Sequence, residues 1–166
     1  MASLISFGAW GSACAEDGGE SSVAAASCAF AVEVEGDVNA SLDDRELACA
    51  YSLGGSESLS TVFAGWGDAA GEVESVSLRI EGLTRGALGA FPATVTLNLA
   101  DGGRFQSEAC EVEITFHEVD GAPDDFGVPH RVRGLGSCAE PARELSDASL
   151  GASLSSFEFA TPTSWQ

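Results

Sequence analysis

Five cysteines, two histidines and a run of aspartates carry most of the chemistry this 166-residue chain could offer. The cysteines are Cys14, Cys28, Cys49, Cys110 and Cys138, and none stands in a Cys-x-x-Cys pair. His117 and His130 lack zinc-finger spacing to any of them, so a structural zinc site is not expected. Four of the five share a setting. Cys28 alternates with Phe30, Val32 and Val34, Cys49 with Tyr51 and Leu53, Cys110 with Val112, Ile114 and Phe116, and Cys138 continues the parity of Val132 across Gly134 and Gly136. Successive strand side chains point to opposite faces, so all four sulfurs fall on the apolar side of strand-like runs. Two bridges among them, or four buried thiols, are the available outcomes. Of the three pairings, Cys28–Cys49 and Cys110–Cys138 are preferred because each would join neighbouring strands. Loops of that length are worth on the order of 3 kcal/mol each.

The segment Asp120-Gly-Ala-Pro-Asp124-Asp125-Phe is the metal candidate. Hard cations such as Ca²⁺ require several oxygens converging from a turn, and Asp120, Asp124 and Asp125, with Glu118, could supply them. The spacing matches no EF-hand loop, and a solvated hairpin loop is the simpler reading. His117 and His130 flank the same loop and could approach one another as a transition-metal site or an acid–base pair, or simply lie on the surface. No Gly-x-Ser-x-Gly elbow is present to support a serine nucleophile. Trp66, between two glycines, and Trp165 are candidates for a recognition face or for packing at the end of a core. No resident cofactor is expected beyond a possible Ca²⁺.

These residues must be positioned by strands. Hydrophobic residues make up 45% of the chain, and its 20 Gly fall at intervals between short apolar runs. Alternation marks strands at 28–36, 48–53, 59–66, 73–81, 91–99, 104–116, 128–134 and 153–160, with 39–47 as a polar loop or single helical turn. Residues 91–107 read as a hairpin turning at Asp101-Gly102-Gly103. The 109–138 unit reads as a second hairpin. With Cys110 opposite Cys138, Thr115 would face Arg133 and His117 would face Arg131, leaving Glu113 diagonal to Arg133 as an ion pair. The expected fold is all-β, an antiparallel β-sandwich of eight or nine strands.

Charge narrows the partners. Asp and Glu number 26 against 7 basic residues, all Arg, for a net charge of −19. Nucleic acid phosphates and anionic lipid headgroups would be repelled. Solubility, adaptation to salt and attraction of cations are the competing explanations of the acidity.

The N-terminal stretch reads as targeting rather than fold. Residues 1–13 are short and mostly apolar, and 14–26 form a polar, acidic tether ahead of a domain at 27–166. Gly11-Ser12-Ala13 directly before Cys14 resembles a bacterial lipoprotein signal, in which that Cys is lipidated. Cleavage after Ala13 or Ala15 as an ordinary secretory signal and a frayed cytosolic N-terminus are the alternatives. Together with the Glu-Asp-Gly-Gly-Glu-Ser-Ser tether, the Ala-Cys-Glu-Val-Glu-Ile-Thr strand and the answering Arg-Val-Arg-Gly-Leu-Gly-Ser-Cys, the layout is similar to small bacterial cell-envelope lipoproteins of uncharacterised function. That resemblance implies export, a lipid anchor at Cys14 as the sole membrane attachment, and a non-enzymatic module binding a protein or glycan. It carries over no catalytic or binding residue. The alternatives are a secreted metal-dependent enzyme or hydrolase centred on 117–130, and a structural or adhesin subunit.

Overall fold

A computed structural model describes residues 28–42, 48–50, 52–53, 61–67 and 71–165. Residues 1–27, which include the expected targeting segment and tether and Cys14, lie outside the described residues, as do most of the polar residues after Leu42.

Every described element is a strand. In chain order they are β1 (Ala29–Gly36), β2 (Ala40–Leu42), β3 (Ala48–Ala50), β4 (Ser52–Leu53), β5 (Thr61–Gly67), β6 (Val73–Glu81), β7 (Gly89–Leu99), β8 (Arg104–Val119), β9 (Val128–Cys138), β10 (Ala142–Glu144), β11 (Gly151–Leu154) and β12 (Phe157–Trp165). Among the described residues the runs marked by alternation fall on strands, but 48–53 divides into β3 and β4, which pair with different neighbours, and 153–160 breaks at Ser155–Ser156 between β11 and β12. The twelve segments exceed the expected eight or nine partly because β9 and β10 lie in line along one edge of β8, with Cys138 opposite Cys110 and Arg143 opposite Gln106. β1 likewise pairs with both β11 and β12. Residues 40–42, expected in a loop or helical turn, form β2 against β1.

The sheet runs β10-β11-β1-β12-β9-β8-β7-β6-β5-β3, antiparallel throughout, and then turns back: β4 pairs with β12 in parallel. Its two halves therefore face each other as a sandwich. Contacts across the core show this directly. Phe30 of β1 lies 4.7 Å from the Trp66 ring of β5, and Trp66 Nε1 donates to the Ala160 carbonyl of β12 at 3.3 Å. Trp66, Phe30, Phe157, Phe159, Leu78, Ile80, Leu97 and Ile114 are fully buried between the layers. Strand alternation accounts for this set, because each belongs to the inward parity of its strand.

Gly134 and Gly136 on β9 face inward in that core. Their register partners on β12 are Phe159 and Phe157. A Cβ at Gly134 would meet the Glu113 carbonyl at 2.6 Å and the Phe159 ring at 2.9 Å, and one at Gly136 would fall inside the Phe157 ring. The aromatic rings occupy the space the glycines leave, which keeps the packing dense without a void.

Both bridges form with the preferred pairing, Cys28–Cys49 and Cys110–Cys138. Cys110 is buried, and the other three are partly buried against the core. Cys110–Cys138 joins directly opposed residues of neighbouring strands, as the sequence suggested. Cys28–Cys49 does something else. Cys28 precedes β1, and β3 pairs with β5 rather than with β1. The bridge thus ties one layer to the far edge of the other.

Candidate functional site

The residues able to do chemistry gather at one end of the sandwich, where the β6–β7 loop (82–88), the β8–β9 loop (120–127) and the end of β12 meet. A bulge brings them there. Up to Ile114, β8 follows the register through Cys110 and Cys138, but Phe116 rather than Thr115 then opposes Arg133. One extra residue flips the parity beyond it. Phe116 turns outward beneath the Arg133 guanidinium, 4.4 Å from its centroid, and His117 turns inward opposite Val132. The expected pairings of Thr115 with Arg133 and His117 with Arg131 are each displaced by this bulge. Nearby, Arg131 Nη2 bridges to Asp120 Oδ2 at 2.7 Å.

His117 and His130 are only 6% and 3% exposed, so they are interior rather than surface residues. Their rings are T-shaped with centroids 5.0 Å apart, and Trp165 lies 5.4 Å from the first and 6.2 Å from the second. The β6–β7 loop covers them. A carbonyl can only accept, so the His117 Nδ1 contact with the Ala87 carbonyl at 3.3 Å places the proton on Nδ1. Nε2 then accepts from the Gly86 amide at 3.4 Å. Arg85 can only donate, so its Nε–H, 3.2 Å from His130 Nε2, makes that nitrogen an acceptor. The proton of neutral His130 is left on Nδ1, which is buried without a hydrogen-bond partner among the described residues. The His130 ring meets those of His117 and Trp165 at T-shaped angles.

Both histidines titrate below the ordinary value of 6.5. For His117, burial is the main cause, opposed by the Ala87 carbonyl and reinforced by Arg85. For His130, burial is followed by repulsion from His117 and from Arg85. Uncharged rings in an apolar setting result.

This arrangement disfavours catalysis at the pair. A metal would need the two Nε2 lone pairs, which are committed to loop donors, and would sit beside a guanidinium. Among the described residues no three His, Cys, Asp or Glu side chains converge as metal ligands. The aspartates of the β8–β9 loop disperse. Asp120 holds Arg131, Asp124 Oδ1 accepts from the Phe126 amide at 2.8 Å to stabilise a turn closed against Gly127, and Asp125 points to solvent. A Ca²⁺ site at Asp120, Asp124 and Asp125 therefore lacks convergent oxygens. Trp66, the other binding candidate, is 1% exposed and belongs to the core, because its place on β5 has inward parity. Trp165 is buried as well, with Nε1 donating to Thr163 Oγ1 at 3.2 Å.

Sequence reasoning missed Arg85 and the Gly86-Ala87 backbone, which cap the histidines. The Thr84-Arg85-Gly86 turn was legible as a turn, but nothing local says which side chains it lands on. Reasoning from sequence also missed Leu135. It projects from β9 between Gly134 and Gly136, 48% exposed, in a row with Glu113 of β8, Glu158 of β12 and Ala31 of β1. The break between β11 and β12 at Ser155–Ser156 opens a shallow depression beside it, lined by Ala31, Glu33, Leu42 and Phe157. Set against protein-family models, curated proteins and solved structures, the chain matches none.

Proposed function

We propose that this chain is a non-catalytic interaction module of the bacterial cell envelope, exported, anchored through a lipid on Cys14, and binding a protein partner on the open face around Leu135. The observation that carries the reading is that exposed leucine, set on a rigid four-strand surface between acidic side chains and beside a depression. Apolar anchors ringed by charge are the usual build of a protein-binding patch. The excess of carboxylates selects a partner of basic character and speeds its approach. Two disulfides support maturation in an oxidising compartment, since such bridges are rare in reducing cytosol. The second reading, an enzyme at 117–130, is disfavoured by imidazole lone pairs already occupied by the chain's own donors.

Binding of the purified domain to envelope preparations from the native host tests this. We expect saturable binding, weakened by salt. Leu135→Thr, which keeps strand propensity but removes the apolar anchor, should weaken it about tenfold, whereas Thr94→Ser on β7 should leave it unchanged. Non-saturable binding, or equal binding by Leu135→Thr, would reject the reading.

A further inference from the structure

The two buried histidines do more than fill space: they are the fixed half of a contact whose other half is a loop. Thr84, Arg85, Gly86 and Leu88 are exposed, while Leu83 at the loop's start is fully buried. Gly82 and Gly89 frame the segment with φ of +77° and +105°, and nothing lies within 4 Å of where their Cβ atoms would be. Positive φ at these two glycines turns the chain into and out of the segment without steric cost. Among the described residues, two of the three hydrogen bonds holding the segment down, Arg85 Nε–H to His130 Nε2 and Gly86 N–H to His117 Nε2, use an imidazole lone pair.

We propose that residues 84–88 form an acid-released latch: neutral His117 and His130 hold it shut over the end of the sandwich, and their protonation frees it and uncovers the two rings. The inference is independent of what the module binds. Adding a proton turns each accepting nitrogen into a donor facing a donor, and places new positive charge beside Arg85 and beside the partner ring. Only the Ala87 contact survives.

Among the described residues no facing group compensates, β4 meeting β12 at Thr163 and Ser164 through Ser52 and Leu53. From the loop, the charged side chain is Arg85 itself. β12 contributes Thr163 and Trp165, β9 contributes Val132 opposite His117, and β8 contributes Val119 opposite His130. Glu118, Arg131 and Asp120 lie on the other face, the last two bound to each other, and Asp124 and Asp125 are exposed in the β8–β9 loop. The lowered titration of both rings in the closed form fits this picture. An open latch lets water reach the rings and removes part of the burial that lowers their titration. The open form thus binds more protons in the window below 6.5, and the closed form loses ground as pH falls through it. Per proton taken up, opening rises about tenfold per pH unit there.

The test is amide exchange at Gly86 and Ala87 by NMR, corrected for intrinsic rates, between about pH 7.5 and about pH 5. Protection should fall about tenfold or more, while amides beside Cys110 and Cys138 keep theirs. In the His117→Gln/His130→Gln double variant, whose side-chain oxygens accept at every pH, the dependence should vanish. Wild-type protection that ignores pH, or a dependence that survives in the double variant, would overturn the latch. Should the double variant not fold, the wild-type imidazole titrations decide. Midpoints below 6.5 accompanying loop opening support the latch, and midpoints at or above 6.5 overturn it.

Discussion

Removing either disulfide as an alanine pair, Cys110→Ala/Cys138→Ala or Cys28→Ala/Cys49→Ala, is expected to lower stability by about 3 kcal/mol. The bridges close segments with sequence separations of 28 and 21, and cross-linking chiefly removes freedom from the unfolded chain. Alanine is the right replacement at Cys110 because a serine hydroxyl would need a partner in the core. The two pairs report on different things. Cys110–Cys138 reinforces a ladder already held by backbone hydrogen bonds on both sides. Cys28–Cys49 fastens β1 to β3, elements that do not pair, so its loss should also loosen the seam where the sheet returns on itself. Since domains hold only about 5–15 kcal/mol in reserve, losing both pairs should leave the fold marginal. Urea titrations with and without reductant measure this. A loss below about 1 kcal/mol for both pairs would mean that the bridges do not constrain the fold.

Trp66→Ala should cost as much or more, about 3–5 kcal/mol, as expected for deleting a large buried aromatic. The indole packs on Phe30 and Phe159 from the opposite layer and gives its N–H to the Ala160 carbonyl. Its removal opens a cavity at the contact that joins the layers and leaves a buried acceptor short of its donor. In a domain of this size that corresponds to a fall in melting temperature of roughly 6–20 °C. Trp66→Phe separates the two contributions. It retains much of the packing and loses the hydrogen bond, so it should cost about 1–2 kcal/mol. A negligible change in Trp66→Ala would place the indole at the surface and contradict the buried seam.

Local pattern accounts for most of the strands. The alternation of Val95, Leu97 and Leu99, the Asp101-Gly102-Gly103 turn and the inward parity of Cys110 are all properties of neighbouring residues. The turn is closed as expected, with the Leu99 amide donating to the Gly103 carbonyl and the Gly103 amide to Asp101 Oδ1. What the sequence left hidden is non-local. Adjacent strands were the natural place to look for partners of Cys28, yet its bridge crosses to the far edge of the sheet, a consequence of how the sheet closes. The bulge after Ile114 moves a single residue out of register, and that one step decides that His117 is buried and Phe116 is not. A period-2 reading has no means of locating such an insertion. Arg85 escaped notice for a related reason. An arginine in a turn reads as solvated until the turn is seen to fold over two imidazoles.

The candidate site was half legible. The proximity of His117 and His130 followed from their places on two paired strands, and the structure bears it out. Their chemistry did not follow, because burial and the loop's donors set it. The open face around Leu135 escaped the sequence reading, since its neighbours on β12 and β1 are distant in sequence.

The account rests on a β-sandwich stapled by two bridges in an oxidising compartment. Intact-mass spectrometry of protein recovered from the native host, before and after reduction, addresses this most directly. We expect it to gain about two hydrogens per bridge, four in all, on reduction. Digests of the unreduced protein should contain Cys28 linked to Cys49 and Cys110 linked to Cys138, from material in the envelope or outside the cell. A mass unmoved by reduction, from a chain retained in the cytosol, would contradict it.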